Sequence, residues 1–363
     1  MENKKMRILH VITSLQTGGA ERLIVDLVPR LRASGRNTVE LLLFDGTQTP
    51  FMEVLEEKGI KIHKLSIGRN VYNPLNLFRM IRYIVQYDII HTHNTACQLY
   101  APLAKMLSFA RKPLVTTEHS SNNRRRGKWW SRPIDRWMYN CYAAVVCIAD
   151  KPRRNLEEQI GKKRNILTIP NGVDTLRFIR PVKDITGQDK FVITMVAGLR
   201  VEKDHETVLK AMVRLPHNYR LQLVGGGVKE ESLKALTHEL GLDDRVEFMG
   251  VRLDVPDILE QSDIVLLSSH WEGLSLSSIE GMASGRPFIA SDVDGLREMV
   301  GGAGVLFDHG DDEGLAAKIK HLCEHPDEYR EVATRCQEKA RQYDITVTVS
   351  KYLDLYKRLC HIK

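Results

Sequence analysis

The chain has 363 residues, of which 43% are hydrophobic and 27% charged, and its formal net charge is +7. These values exclude a disordered or fibrous chain and are ordinary for a globular protein of about two domains. The sequence has six scattered cysteines without a C-x-x-C pair, no run of ~18 apolar residues and no signal-peptide core, so we expect reduced thiols, no membrane span and a cytoplasmic protein.

The first half of the chain alternates between strand and helix patterns. Strands are predicted at 6–13, 38–44, 61–67, 88–93, 113–117 and 143–148, with helices at 21–33, 51–58, 74–86 and 96–109 and after Pro152. This alternation is typical of a parallel, doubly wound sheet. Gly18 and Gly19 separate the first strand from its helix, which indicates either a tight turn or a backbone that approaches a ligand closely. No G-x-G-x-x-G is present, so a dinucleotide cofactor is not favoured.

Histidines follow or end two of the predicted strands. His91 and His93 end one strand, and Glu118 and His119 end another. Carboxyl ends of parallel strands meet at one edge of the sheet, where ligands bind. A metal site formed by the three histidines is conceivable, but hydrogen bonding at a strand end is the default interpretation for each of them.

A basic and aromatic segment lies at 122–132 in the first half. Its candidate partner-binding residues are Arg124, Arg125, Arg126, Lys128, Trp129 and Trp130. One interpretation is a solvated loop with the tryptophans in the core. The other is peripheral binding to an anionic membrane, with tryptophan at the level of the lipid headgroups. No nucleic-acid-binding module accompanies the segment, so no nucleic acid is expected as a partner.

The second half repeats the alternation after a turn-rich segment at 169–174. We therefore expect one domain at 1–168 and a second at 169–344. Strands are predicted at 191–197, 220–224, 246–252, 263–269 and 287–291. Helical patterns follow at 312–341 and 349–359. The D-x-D sequence of Asp292 and Asp294 follows a strand and is interpreted as a turn without a metal.

The stretch from 263 to 285 predicts a buried strand, a glycine-bearing turn and a short helix. Glu272 lies in the turn, and Glu280 lies about one and a half turns into the helix. A helix N-terminus offers free amides and partial positive charge to phosphate or sugar oxygens. The two carboxylates could accept hydrogen bonds from sugar hydroxyls, although solvated surface acids are the alternative.

Glu272 and Glu280, with seven residues between them, resemble the E-x7-E signature of family 4 glycosyltransferases of the GT-B fold. The sequences TGGAER at 17–22 and PNGVD at 170–174, the loop with Lys203 and the glycines at 225–227 are also similar to that family, in the same order. The resemblance implies an α/β protein of two facing Rossmann-like domains, with a cleft between them and a last helix at 345–363 that returns to the first domain. It implies retaining, metal-independent transfer of a sugar, here from a UDP-sugar, to a saccharide or lipid-linked acceptor in surface polysaccharide or glycan synthesis.

The resemblance also implies roles for individual residues. His119 would lie by the transferred sugar, Glu272 would bind sugar hydroxyls, and Lys203 would neutralise the diphosphate. The family's arginine falls on Gly198, so Arg200 is the candidate replacement. The donor-binding set implied is Gly18, Gly19, Gly225, Val251, Arg252, Glu272, Gly273, Leu274, Ser275, Leu276 and Glu280. No cofactor or metal is expected, and the alternatives are a nucleotide-sugar 2-epimerase or an inactive sugar-nucleotide-binding protein.

Overall fold

A computed structural model of the chain describes residues 5–16, 18–34, 37–68, 71–119, 131–162 and 165–360. The chain forms two compact units. One comprises Met1–Gly172 and Ile345–Lys363, and the other comprises Val173–Asp344. Each unit is built on one sheet in which every strand pair is parallel.

The first unit has a seven-stranded sheet in the order β3-β2-β1-β4-β5-β6-β7. Its strands are β1 (Arg7–Ile12), β2 (Thr38–Asp45), β3 (Ile62–Ser66), β4 (Ile89–His93), β5 (Leu114–Glu118), β6 (Ala144–Cys147) and β7 (Ile166–Thr168). Its helices are α1 (Gly19–Ala33), α2 (Pro50–Glu57), α3 (Leu75–Gln86), α4 (Thr95–Ser108), α5 (Ser131–Asn140), α6 (Asp150–Ile160) and the C-terminal helix α14 (Ile345–Leu359).

Helices cover both faces of this sheet, as the sequence of β1 illustrates. Side chains alternate between the two faces of a strand. Ile8 and Ile12 pack in the core that includes residues of α1 and α14, whereas Leu9 and Val11 pack in the core that includes residues of α3 and α4. A strand that is buried on both faces must be apolar at nearly every position, which explains the continuous apolar runs in the sequence.

The second unit has a six-stranded sheet in the order β10-β9-β8-β11-β12-β13. Its strands are β8 (Phe191–Val196), β9 (Tyr219–Val224), β10 (Val246–Gly250), β11 (Ile264–Leu267), β12 (Phe288–Ser291) and β13 (Val305–Phe307). Its helices are α7 (His205–Arg214), α8 (Glu230–Glu239), α9 (Val255–Gln261), α10 (Leu276–Ala283), α11 (Leu296–Val300), α12 (Asp312–Glu324) and α13 (Pro326–Arg341).

The predicted α/β class with parallel, doubly wound sheets is confirmed, but several elements differ from the sequence prediction. The helical pattern at 312–341 forms two helices, because Pro326 lacks the amide that would continue α12 and begins α13 instead. The elements α5, α7, α9, α11 and β13 were not predicted. None of the six cysteines forms a disulfide, and no helix in the described ranges is both long and apolar enough to span a bilayer.

Candidate functional site

The candidate donor site lies in the second unit, where the strand order changes direction. From β8 the chain proceeds outward to β9 and β10, and from β11 it proceeds outward on the other side to β12 and β13. Ligands of open parallel sheets bind beyond the carboxyl ends of the strands at such a switch point. The two segments that leave β8 and β11 here are 197–204 and 268–275, which contain most of the predicted site residues.

An ion pair joins these two segments. The ammonium group of Lys203 contacts the carboxylate of Glu272, and both side chains are largely buried. The hydroxyl of Ser269 donates a second hydrogen bond to Glu272 Oε1 at 3.1 Å. The His270 amide donates to the Glu202 carbonyl at 2.9 Å, which holds the two backbones together. The structure therefore brings together a cation and a carboxylate that the sequence separates by 69 positions.

Helix α10 begins directly after Glu272 and the turn. Ser275 is its N-cap, and the Ser275 hydroxyl accepts a hydrogen bond from the Ser278 amide at 3.3 Å. The first amides of α10 are thus placed at the carboxyl edge of the sheet, where the partial positive charge of the helix favours an anion. Glu280 lies on the second turn of α10 and is 8% exposed, which is low for a glutamate and disfavours a simple surface role.

The glycine turn after β9 packs against the segment that follows β8. Gly225 has a φ of +146°, and a Cβ atom at this position would lie 2.0 Å from the Ala197 carbonyl oxygen. The Leu199 amide donates to the Gly226 carbonyl at 3.1 Å. The backbones are so close that a side chain at Gly225 has no room. The turn therefore supports the loop that carries Lys203.

Arg200 lies beside the position at which the family carries its arginine. A Cβ atom on Gly198 would lie 3.4 Å from Arg200 Nε and 3.8 Å from Arg200 Cδ. The side chain of Arg200 therefore folds back over Gly198, and the residue is exposed to solvent.

The remaining predicted residues of this unit flank the same edge. Val251 follows β10, is 61% exposed, and its Cγ2 atom would be 3.3 Å from a Cβ atom on Gly226. Arg252 is held by Asp254, to which Arg252 Nε donates at 2.8 Å. Leu274 packs against the hydrophobic core of the unit, and this anchors the turn before α10.

The two aspartates of the D-x-D sequence already have a cationic partner. Arg297 Nε donates to Asp292 at 2.6 Å, and Arg297 also pairs with Asp294 at 3.5 Å. Gly295 follows them, and a Cβ atom there would lie 2.3 Å from the Gly273 carbonyl oxygen. The segment therefore packs as a turn against the loop of Glu272.

The predicted residues of the first unit lie at the carboxyl edge of its own sheet, where β1 and β4 are neighbours. Gly18 precedes α1, and its carbonyl accepts a hydrogen bond from the Arg22 amide at 2.9 Å. A Cβ atom on Gly19 would meet nothing within 4 Å. Asn94, directly after β4, donates to Glu21 of α1 at 3.3 Å, so the glycine turn lies next to the end of β4.

His119 belongs to a group of four histidines in the first unit. His119 Nε2 is 2.9 Å from His93 Nδ1, and His93 Nε2 is 3.0 Å from His10 Nδ1. Burial lowers the pKa of His119 to about 4 and that of His10 to about 3, and it lowers the pKa of His91 and His93 well below the usual value. These imidazoles are therefore neutral at pH 7.

His10 was not predicted from the sequence to belong to this group. A signal was present, because His10 occupies the strand next to that of His91, and the two residues are directly paired in the parallel register of β1 and β4. His270 and His309, whose ring nitrogens are 2.6 Å apart near the donor site, were also missed.

Two groups in the described part of the chain have nitrogen or oxygen atoms close enough to be considered as metal sites: His10, His91 and His93, and Asp204, His270 and His309. Two nitrogens bound to one tetrahedral ion at 2.0–2.1 Å lie about 3.3 Å apart. The nitrogens of His270 and His309, at 2.6 Å, are too close for that arrangement. The nitrogens of His10 and His93, at 3.0 Å, have an ordinary hydrogen-bond separation. Both groups fit hydrogen bonding better than metal coordination.

Comparison with known proteins assigns both units. The family model described as "Glycosyltransferase Family 4" matches residues 17–177, and the model described as "Glycosyl transferases group 1" matches residues 179–343. The lipopolysaccharide core biosynthesis glycosyltransferase LpsD of Rhizobium meliloti is 28% identical over 97% of this chain and 98% of its own length. The UDP-Gal:alpha-D-GlcNAc-diphosphoundecaprenol alpha-1,3-galactosyltransferase of Escherichia coli is 26% identical over 64% of this chain and 64% of its own length.

A solved structure shares the whole fold. The crystal structure of Anabaena Alr3699/HepE in complex with UDP and glucose has a TM-score of 0.84 at 22% identity and covers 97% of this chain and 100% of that one. The present chain likewise has two Rossmann-like units built on parallel sheets, as GT-B glycosyltransferases do. Because the two glycosyltransferase family models together match residues 17–177 and 179–343, and the relative that matches over nearly its whole length is named a glycosyltransferase, the chain belongs to the family 4 glycosyltransferases.

Proposed function

We propose that the protein transfers a sugar from a UDP-sugar to a saccharide or lipid-linked acceptor in surface polysaccharide or glycan synthesis, with retention of the anomeric configuration. The observation that carries the proposal is the Lys203–Glu272 pair next to the N-terminus of α10, at the switch point of the second sheet. The relatives support the substrate classes, since one is named for a UDP-galactose donor and a diphosphoundecaprenol acceptor, and the Anabaena structure contains UDP and glucose. Retention is carried over from the family.

The diphosphate would lie between a helix N-terminus and two cations. Lys203 is one cation, and Arg200 takes the place of the family's arginine, because its side chain occupies the space over Gly198. Charge develops on the leaving diphosphate as the glycosidic bond breaks, and cations fixed in advance stabilise that charge most in the transition state. The amides of 273–276 would add hydrogen bonds to the sugar and the phosphates.

The two glutamates of the motif would bind hydroxyl groups. Glu272 is oriented by Lys203 and Ser269, so its second oxygen can accept a hydrogen bond from the transferred sugar. Glu280 would accept from the ribose hydroxyls of the nucleotide. Gly225, Val251 and Arg252 would lie along the nucleotide, since they surround the same sheet edge.

The change Glu280→Gln tests the function. We expect it to weaken UDP-sugar binding and transfer by roughly tenfold to a hundredfold, because one charge-assisted hydrogen bond is worth ~1.5–3 kcal/mol. Calorimetric titration measures the affinity for UDP-sugars, and a transfer assay measures the rate of sugar transfer. The control is Glu324→Gln on α12, which removes an exposed carboxylate paired with Lys320 and should leave both unchanged. Unchanged donor affinity in Glu280→Gln would remove Glu280 from the site, and an epimerised donor in the absence of acceptor would identify a 2-epimerase instead.

Transfer should continue in the presence of EDTA. Lys203 and Arg200 supply the positive charge that a metal would otherwise bring to the diphosphate, and Arg297 already binds Asp292 and Asp294. The measurement is the initial rate with and without the chelator. A rate abolished by EDTA and restored by Mn²⁺ would place a metal at the aspartates or at one of the histidine groups.

We also propose that the first unit binds the surface of an anionic membrane. Residues 122–130 of the basic segment lie outside the described residues, and these include Arg124, Arg125, Arg126, Lys128, Trp129 and Trp130. The described α3 supports the proposal independently, because Leu75 is 55% and Phe78 is 63% exposed. Each arginine near an anionic surface contributes ~1 kcal/mol and is screened by salt. We expect flotation with anionic vesicles that falls with salt and decreases when the three arginines become serine.

The matched control for this experiment replaces three exposed arginines of α13 in the other unit, Arg330, Arg335 and Arg341, by serine. Both triple variants lower the net charge by three, so a difference in flotation between them shows that the basic segment itself binds the membrane rather than the total charge of the protein. Equal flotation of both triple variants, or equal recovery on neutral and anionic vesicles, would exclude the basic segment as a membrane-binding surface.

A further inference from the structure

Seven side chains form one continuous chain of hydrogen-bonding groups inside the first unit. In order along the chain of contacts, they are His119, His93, His10, Tyr356, His91, Thr117 and Tyr352. The successive contacts measure 2.9, 3.0, 3.5, 2.6, 2.7 and 2.9 Å. The groups come from β1, β4, β5, the residue after β5, and α14, so the network joins the middle of the sheet to the C-terminal helix.

The network is buried along its whole length, including the Nδ1 atom of His119. Every member other than His119 is fully buried. His119 Nδ1 has no hydrogen-bond partner among the described residues. Buried polar groups are paired in nearly all proteins, and an orphaned donor is rarer than an under-used acceptor. The unpaired nitrogen of His119 is therefore the place where a ligand can complete the network.

The positions of the protons follow from counting. Each neutral imidazole and each hydroxyl has one hydrogen to donate, so seven hydrogens serve six contacts. In one arrangement every group donates toward His119, and the only hydrogen left over is on His119 Nδ1. Every other arrangement that keeps all six contacts leaves the hydroxyl hydrogen of Tyr356, Thr117 or Tyr352 buried without an acceptor among the described residues. Such an unpaired buried donor is costly.

We propose that this network holds His119 as the Nδ1–H tautomer, so that His119 donates a hydrogen bond to an oxygen of a sugar bound at this edge of the first sheet. His93, His10 and Tyr356 are then positioning residues, which act on the sugar through His119. The part that concerns the sugar rests on the proposed function. The part that concerns the tautomer does not, because it follows from contacts within the first unit alone.

The network predicts the same tautomer for all four histidines. His91 Nδ1–H donates to Tyr356, the Tyr356 hydroxyl donates to His10 Nε2, and His10 and His93 donate onward through Nδ1. Free histidine in neutral solution prefers the opposite, Nε2–H, tautomer. Four Nδ1–H histidines are therefore a signature that a merely packed cluster would not produce.

Nitrogen-15 NMR of the full chain labelled at histidine measures this signature directly. Ring nitrogens with a proton and with a lone pair differ widely in chemical shift, and His119→Asn assigns the His119 signals by their loss. We expect His119 with its proton on Nδ1 at neutral pH. A proton on Nε2, or a charged imidazolium, overturns the proposal without any reference to activity.

Two substitutions on α14 test whether the hydrogen-bond network sets the His119 tautomer or whether these side chains only pack together. Tyr356 and Tyr352 are both fully buried, one helical turn apart, and each loses only its hydroxyl when changed to Phe. Tyr356→Phe cuts the network at His10, so His119 should shift toward the Nε2–H tautomer and kcat/KM should fall roughly tenfold, the effect of about one hydrogen bond. Tyr352→Phe should leave the His119 tautomer unchanged, because the Thr117 hydroxyl still donates to His91.

The outcomes distinguish the role of the network in setting the His119 tautomer from the proposed sugar transfer. If the two variants change the His119 spectrum equally, or if Tyr356→Phe does not change it, the network does not set the His119 tautomer. A shifted tautomer with an unchanged kcat/KM overturns the role of His119 toward the sugar. If the tautomers are as expected but the protein transfers no sugar from a UDP-sugar, the proposed function is wrong and the role of the network in setting the tautomer is confirmed. If Tyr356→Phe does not fold, the spectrum of the unmodified protein still decides.

Discussion

Replacing Lys203 by methionine is expected to lower kcat by about 10²–10³, the effect of removing one preorganised electrostatic group from a site where charge develops. Methionine retains most of the length and apolar volume of the lysine stem. What it removes is the charge that contacts Glu272 and that would meet the diphosphate. The assay is transfer at saturating donor and acceptor, with single-turnover rates to separate chemistry from product release.

Lys320→Met is the matched control. Lys320 lies on α12, is half-exposed, and pairs with Glu324 at 3.7 Å, so the same substitution there deletes an exposed ion pair away from the site. We expect wild-type kcat and melting temperature for the control, and a lower melting temperature for Lys203→Met, because Glu272 loses its cation while it is largely buried. A Lys203→Met enzyme with a kcat close to that of the control would show that the cation of this site is not Lys203.

The substitution Gly225→Ala should have the largest effect on stability. The added Cβ atom would lie 2.0 Å from the Ala197 carbonyl oxygen and 2.8 Å from its carbon, at a φ of +146° that L-residues rarely adopt. Backbone cannot yield as a flexible side chain can. We therefore expect the second unit to lose about 3 kcal/mol or more. For a unit of this size the loss corresponds to a fall of about 10 °C in Tm, measured by calorimetry.

Gly19→Ala is the control, because a Cβ atom at Gly19 meets nothing within 4 Å and the residue is helical. Its Tm should stay the same or rise slightly. Equal Tm values for the two variants would mean that the turn at Gly225 moves away from Ala197 without cost.

Local sequence patterns determined the α/β class, most strands and helices, and the segments that form the donor site. The reason is that alternation, apolar runs and glycine turns are properties of neighbouring residues. The E-x7-E spacing belongs to the same category, since the strand, the turn and α10 are consecutive. The roles of Glu272, Glu280 and His119 toward a substrate stay predictions.

Only the tertiary structure decided which of these segments meet. Lys203 and Glu272 are 69 residues apart, His10 and His93 are 83 apart, and His91 and Tyr356 are 265 apart. Pairing in a parallel sheet is long-range, and the order of strands in the sheet is not written in the pattern of any one strand. His10 was therefore overlooked until β1 was placed beside β4. The contribution of α14 required its return to the first unit, where packing between distant segments placed two tyrosine hydroxyls against buried histidine and threonine side chains.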